Sequence, residues 1–378
     1  MIEVNTYDGA QDKGLEGVVA CTTAVSFIVG NTLIYRGYTI EDLAEHSTFE
    51  EVVFLLWNNH LPNKLELEKF KTELNQQMTL EASLVQVLQT LPTAIHPMAW
   101  LRTAVSLMSH WDADAHDNSV EANKRKAIRL TAKIGSLVAT FEAIRNKREI
   151  LAPKIGKSIA WNFLYMLKGI EPEADLVKLF DICLILHADH ELNCSAFAAR
   201  VTSSSLSDIH SAIVSAIGTL KGSLHGGANE QVMVMLAKIG TIEKAQQFVN
   251  DAIAAKEKVM GIGHRVYKDG DPRAAILRKF SEQLTKKIGK PELYEISVLI
   301  DETMNKQKGL MPNVDFYSAT VYHSMGIPTD IFTPIFAVSR IAGWIAHAHE
   351  QYEKNRIYRP RAKWQGAGGL SWTPLEQR

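Results

Sequence analysis

The stretch Ile134-Gly135-Ser136-Leu137-Val138-Ala139-Thr140-Phe141-Glu142-Ala143-Ile144 decides the fold class. Its apolar residues Ile134, Leu137, Val138, Phe141 and Ile144 repeat as one face of a helix with 3.6 residues per turn. Charged residues bound it, Lys124-Arg125-Lys126 before and Arg145-Asn146-Lys147-Arg148 after. Working outward, Ala212, Ile213, Ala216, Ile217 and Leu220 form a second such face that ends at Gly222. The segment Pro334 to Asn355 is a third, with proline in its first turn, where a missing N–H is harmless. Thr48-Phe49-Glu50-Glu51 reads as a capping box before the apolar run Val52 to Trp57. Strand signals are confined to Phe27-Ile28-Val29 and Thr32-Leu33-Ile34-Tyr35 around Gly30-Asn31, a hairpin with a two-residue turn. The expectation is an all-α protein with one short N-terminal β-hairpin.

A chain of 378 residues can hold one large domain or two ordinary ones. Hydrophobic residues at 46% and charged residues at 22% are the mixture of a soluble globular protein. A formal net charge of −1 sets up no global field for nucleic acid or an acidic membrane. The three cysteines, Cys21, Cys183 and Cys194, have no framework spacing and fit reduced thiols in a cytoplasmic protein. Residues Met1 to Asp8 are acidic and carry no apolar run, unlike a secretory signal or an Arg-rich transit peptide. No stretch approaches the roughly 20 uninterrupted apolar residues of a membrane span. No fixed-period repeat is present, which counts against a solenoid.

Two hinge candidates divide the chain. The glycines around His225 end one helical block, and Gly326-Ile327-Pro328 precedes another. Residues 223–328 are therefore expected to form a smaller domain, inserted into a larger helical one made of 1–222 and 329–378.

That smaller segment carries three turns with ionisable groups. In Gly222-Ser223-Leu224-His225-Gly226-Gly227, Gly222 is placed as a helix C′ residue and Gly226-Gly227 can adopt positive φ. His225 there either meets a ligand or is a helix-terminal histidine favoured by the dipole. Gly261-Ile262-Gly263-His264-Arg265 follows Asp251 to Val259, which reads as helix, and lacks the third glycine of a dinucleotide fingerprint. Its glycines suit backbone lying against a flat or extended ligand. Lys256, Lys258, Arg265 and Lys268 are either cations for phosphate groups or a solvated basic helix end. In Pro312-Asn313-Val314-Asp315-Phe316-Tyr317, the apolar company of Asp315 raises the basicity of its carboxylate, as a carbon-acid base requires. The competing reading is a turn aspartate capping a helix that starts near Phe316.

A helix from Asp181 to Arg200 would place Cys183, His187, His190 and Cys194 near one face. Cys183 and Cys194 would then lie about 16 Å apart, too far to share a zinc ion. No HExxH pattern occurs, so no metal is expected. Arg340 interrupts an apolar stripe between Phe336 and Trp344, and either snorkels or needs an anionic partner. With Arg273 after Asp271-Pro272 and Arg359 before Pro360, it suits a substrate bearing several carboxylates.

Taken together, these residues resemble the citrate synthases, and the similarity covers nearly the whole chain. It includes Gly14-Leu15-Glu16-Gly17-Val18, Tyr35-Arg36-Gly37-Tyr38, His96-Pro97-Met98 with Arg102-Thr103-Ala104-Val105, His187-Ala188-Asp189-His190-Glu191, the three turns, Phe332-Thr333-Pro334 and Arg359-Pro360-Arg361. The resemblance implies an almost wholly α-helical homodimer whose small domain closes on oxaloacetate and builds the acetyl-CoA site. It implies that Asp315 is the base toward the acetyl-CoA methyl group and that His225 donates to the thioester oxygen. His264 would bind the ketone of oxaloacetate and protonate the alkoxide. His190, Arg273 and Arg340 would hold oxaloacetate, with Arg359 contributed across the dimer. Lys258, Met260, Gly261, Ile262, Gly263, Arg265 and Lys268, with Asn313 nearby, would contact CoA, a co-substrate rather than a permanently bound cofactor.

Ser223 stands where many members have proline. Few residues precede Gly14, so inhibition by NADH is not expected. 2-Methylcitrate synthases, which use propionyl-CoA, share every motif quoted. A metal-dependent hydrolase built on His187 and His190, or a non-catalytic helical scaffold, are the readings from other classes.

Overall fold

The structure, a computed structural model, describes residues 14, 15, 17–264, 266, 267, 269–364 and 366–378. The expectation for the N-terminal residues Met1 to Asp8 lies outside them, as do Arg265 and Lys268. The chain forms two compact units. One is Thr23–Arg356. The other holds Ile357–Arg378 with the described residues before Thr23.

The larger unit opens with strands β1 (Ser26–Val29) and β2 (Thr32–Tyr35), paired antiparallel as expected, and β2 also pairs with a short β3 (Tyr38–Thr39). Gly30 turns the hairpin at φ 61°. Helices follow: α1 (Ile40–His46), α2 (Phe49–Asn58), α3 (Lys64–Gln77), α4 (Ala82–Thr90), α5 (Pro97–Met108), α6 (Val120–Arg145), α7 (Ile159–Lys168) and α8 (Ala174–His187). Then come α9 (Cys194–Ser204), α10 (Ile209–Leu220), α11 (Ala228–Ile239), α12 (Ile242–Ala255), α13 (Pro272–Lys287), α14 (Glu292–Lys308), α15 (Val314–Ser324) and α16 (Phe332–Glu353). The fold is all-α apart from the small sheet.

Local chemistry explains the helix ends. The Glu51 carboxylate accepts from the backbone N–H and hydroxyl of Thr48, at 2.7 and 2.8 Å, at the start of α2. Asp271 and Asn313 cap α13 and α15 by accepting from Arg273 N–H and Asp315 N–H. α16 is the central core helix, touching α2, α6, α8, α9 and α10. It is long and apolar enough to cross a membrane, yet its apolar window is wholly buried within the protein.

Three expected boundaries are corrected. The first charged run does not bound α6, which spans Val120–Arg145 and ends as expected at the second run. Lys126 lies inside it and donates to the Asp117 carbonyl at 2.6 Å, while Lys133 pairs with Glu81. Cations with partners need not stay at a solvated end. Helix α12 stops at Ala255, four residues before Val259, because Lys256 adopts left-handed φ 55°. Most consequential, Asp181 to Arg200 is not one helix. α8 ends at His187, and α9 starts only at Cys194 under the Asn193 cap. His190 therefore sits on an unwound turn.

Residues 223–328 supply α11 to α15, where α13 packs on α15, α12 on α14 and α11 on α15. Helices α1, α8 and α16 border this group through α13 and α11.

Candidate active site

Two of the expected turns are stitched together by backbone. Gly263 N–H donates to the Met311 carbonyl at 2.7 Å, and Asn313 N–H to the Gly261 carbonyl at 2.9 Å. The Asn313 side-chain amide adds a bond to the Gly263 carbonyl at 2.9 Å. Gly261 and Gly263 hold positive φ, 75° and 89°. A Cβ on Gly261 would stand 2.7 Å from Val232 and 3.0 Å from the Phe316 Cα. Glycine at 261 thus serves close packing against α11 and α15. The stitching brings His264 and the start of α15 into one neighbourhood.

His264 accepts two backbone N–H groups at Nδ1, from Val266 at 3.0 Å and Tyr267 at 3.2 Å. Its proton therefore sits on Nε2, free to donate outward. Burial, helped by the nearby Arg273 cation, pushes its pKa down to about 4. The His190 ring lies 5.1 Å away, with its Nε2 3.2 Å from the Tyr267 hydroxyl. Burial, then the charge of Arg273, holds His190 well below the usual range too.

Arg273 is buried at the start of α13. Its Nε and one terminal nitrogen donate to the two Asp271 oxygens at 3.0 and 2.8 Å. Burial would lower its pKa, but Asp271 more than offsets this. The same Asp271 carboxylate accepts from Val314 N–H at 3.0 Å, which ties α13 to α15. Arg340, on α16, is 1% exposed. It does not snorkel. Its guanidinium stacks 4.7 Å over the Phe336 ring and donates through Nε to the His187 carbonyl at 2.7 Å. Nη1 has no partner. Burial brings its pKa down to about 10, so it stays charged at neutral pH. A buried cation with an unused donor has the chemistry to bind an anion.

Asp315 is the second residue of α15, and Asn313, not Asp315, is the cap. Its Oδ1 is buried without a partner. Burial raises its pKa to about 7, against the opposing pull of Arg273 and Arg340. It is a carboxylate poised to hold or release a proton near neutrality.

His225 follows α10 on a turn whose Gly222 is a C′ residue, as expected. Neither Gly226 nor Gly227 is among the positive-φ glycines. Gly226 is needed for proximity, because a Cβ there would meet the Leu220 side chain at 2.5 Å. His225 Nε2 receives Ser195 N–H at 3.3 Å and lies 2.8 Å from Ser195 Oγ. Its proton thus sits on Nδ1. Burial, with Arg340 second, pushes its pKa down to about 3. Phe336 flanks this ring at 6.4 Å and the His187 ring at 4.8 Å, so His225 shares a neighbour with Arg340.

The structure therefore gathers His190, His225, His264, Arg273, Arg340 and Asp315. Lys258 is exposed and Met260 half-buried, and Ile262 pairs with Pro312 in an isolated antiparallel bridge. Arg265 and Lys268 lie outside the described residues. Arg359 belongs to the smaller unit and is exposed there. His187 donates from Nδ1 to the Cys183 carbonyl at 2.7 Å, and no group of three or more potential metal ligands occurs among the described residues. Reading the sequence missed Asn193, Ser195, Tyr267 and Asp271. Asp271 could have been found as an aspartate directly before a helix-starting proline. The others carry no local signal.

Residues 14–361 match the family described as "Citrate synthase, C-terminal domain". Citrate synthase 2 of Bacillus subtilis is 51% identical, over 97% of this chain and 99% of its own length. The 2-methylcitrate synthase of Shewanella oneidensis is 40% identical over 97% of both chains. The citrate synthase of Thermoplasma acidophilum, solved as a ternary complex with carboxymethyl coenzyme A and oxaloacetate, superimposes with a TM-score of 0.93. It is 31% identical, covering 98% of this chain and all of that one. With a family match over most of its length and a relative at half its residues identical, the chain belongs to the citrate synthase family.

Proposed function

We propose that the protein condenses acetyl-CoA with oxaloacetate and water to give citrate and CoA, as an acyltransferase. The carrying observation is the unpartnered, buried Oδ1 of Asp315, in one cluster with neutral imidazoles whose free N–H groups are fixed by their surroundings. Asp315 takes a methyl proton from acetyl-CoA. A carboxylate alone is too weak for that, so a preorganised donor must meet the developing enolate oxygen. His225 Nδ1–H is that donor. The enolate carbon attacks the ketone of oxaloacetate, whose oxygen accepts from His264 Nε2–H and takes that proton as the new bond forms. His190, Arg273 and Arg340 bind the ketodiacid, with Arg359 reaching across a homodimer. Water then cleaves the citryl thioester.

Residues Lys258 to Lys268, with Asn313, are the proposed CoA contacts, and 223–328 the body that closes over the substrates. The basic, glycine-containing sequence supports the first. The packing of α11 to α15 mainly on one another supports the second. Unpaired Cys21, Cys183 and Cys194 are consistent with a cytoplasmic enzyme.

A second reading, propionyl-CoA as acyl donor, is favoured by the 40% identity to a 2-methylcitrate synthase. One methylene is worth about 1–3 kcal/mol in a pocket. Thiol release with oxaloacetate and each acyl-CoA decides between them. A higher kcat/KM for acetyl-CoA is expected, and a strong propionyl preference would reverse the order of the two readings.

A further inference from the structure

The hairpin touches the site in a way that its size does not suggest. Ser26 on β1 pairs in register with Tyr35 on β2, so their side chains leave the same face. Both are buried, and both grip the unwound turn between α8 and α9. The Tyr35 hydroxyl donates to the Asp189 carbonyl at 2.7 Å and accepts from Asp189 N–H at 3.0 Å. The Ser26 hydroxyl donates to Asp189 Oδ2 at 2.5 Å and accepts from Glu191 N–H at 2.7 Å. Three of these bonds satisfy backbone groups of the unwound turn, the Asp189 carbonyl and the N–H groups of Asp189 and Glu191, and Glu191 takes left-handed φ 49°. His190 lies between the two clamped residues.

The far side of the turn is held as tightly. A guanidinium can only donate, so Arg200 Nε, 3.0 Å from His347 Nδ1, leaves the His347 proton on Nε2. That proton points at Asp189 Oδ2, 3.2 Å away. Gly343 N–H donates to the Ala188 carbonyl at 3.1 Å, and a Cβ on Gly343 would stand 2.6 Å from that oxygen. The turn is thus pressed onto α16 three residues beyond Arg340.

We propose that Ser26 and Tyr35 are positioning residues for the ketodiacid: the hairpin fixes His190 relative to Arg340 and so sets the affinity for oxaloacetate. This rests on reading His190, Arg273 and Arg340 as the oxaloacetate pocket. A hairpin that merely supports the fold would lower thermal stability when damaged without separating the two substrates. The test compares full-length wild type with Ser26→Ala, Ser26→Thr and Tyr35→Phe. Calorimetry gives the oxaloacetate Kd, steady-state kinetics the KM for each substrate, and thermal unfolding the stability. Ser26→Ala and Tyr35→Phe are expected to weaken oxaloacetate binding about tenfold, leaving KM for acetyl-CoA at saturating oxaloacetate unchanged. Ser26→Thr, which keeps the hydroxyl, should recover wild-type affinity to within about twofold. If wild type binds oxaloacetate and both loss variants bind it equally well, the inference is overturned and the pocket stands. If wild type does not bind oxaloacetate, the pocket reading falls and the inference with it. Should one loss variant not fold, the other decides.

Discussion

Ser195 donates its backbone N–H to Nε2 of His225 at 3.3 Å and sets its hydroxyl oxygen 2.8 Å from the same nitrogen. The hydroxyl proton goes to Asn193 Oδ1 at 2.8 Å, and the hydroxyl oxygen accepts from the Trp344 indole N–H at 3.0 Å. The backbone N–H commits Nε2 as an acceptor, and Nδ1–H is the one donor this imidazole has left.

His225→Ala should therefore lower kcat by about 10²–10³-fold, the usual loss for one oxyanion donor. Oxaloacetate binding should be intact, because His225 is assigned to the other substrate. Thiol release and calorimetry read the two quantities separately.

With Asp315 pushed up to about 7, kcat/KM should rise as pH passes upward through that value, since only the ionised carboxylate takes a proton. Asp315→Asn should remove condensation while retaining oxaloacetate binding. A pH–rate profile of wild type and single-turnover assays of the variant check this.

The same shift makes a stability prediction of definite sign. The folded pKa is about 7 and the ordinary value 3.8. The fold therefore favours the protonated form, with full effect below about pH 4 and loss as pH rises toward 7. Asp315→Asn should gain on wild type over that window, by up to about 4 kcal/mol at pH 8. Denaturant melts at pH 4 and pH 8 should show the gap opening only at the higher pH.

Arg340→Lys keeps a charge but loses the planar fork and the Nε bond to the His187 carbonyl. Oxaloacetate Kd should rise about 10- to 100-fold, the worth of a hydrogen bond to a charged group. Titration calorimetry measures it directly.

Gly261→Ala should cost about 1–3 kcal/mol for left-handed strain and more for the clash with the Phe316 backbone. It should also disturb the stitching of 261–263 to 311–313, so activity and unfolding midpoint should fall together.

Most of the architecture was legible because its signals are local. The Gly30-Asn31 turn, the Thr48–Glu51 box and the apolar faces of α6, α10 and α16 each depend on neighbours in sequence. What escaped depends on distant partners. Nothing in Ala188 to Asn193 announces that a tyrosine on β2 will take over its backbone bonds, and nothing in Lys126 reveals a carbonyl waiting for its ammonium. The site divides in the same way. Asp315, His225, His264 and Arg340 stand out because charge or imidazole sits among glycines or apolar residues. Ser195, Asn193 and Tyr267 are ordinary polar residues until the fold aims them.

Asp271 serves three clients at once: the N-terminus of α13, the side chain of Arg273 and the N–H of Val314. The distance from Arg273 to the start of α15 is thus written into one carboxylate. In the proposed reaction any displacement of α13 carries Arg273 and Asp315 together, so the hold on one reactant and the group that activates the other move as one.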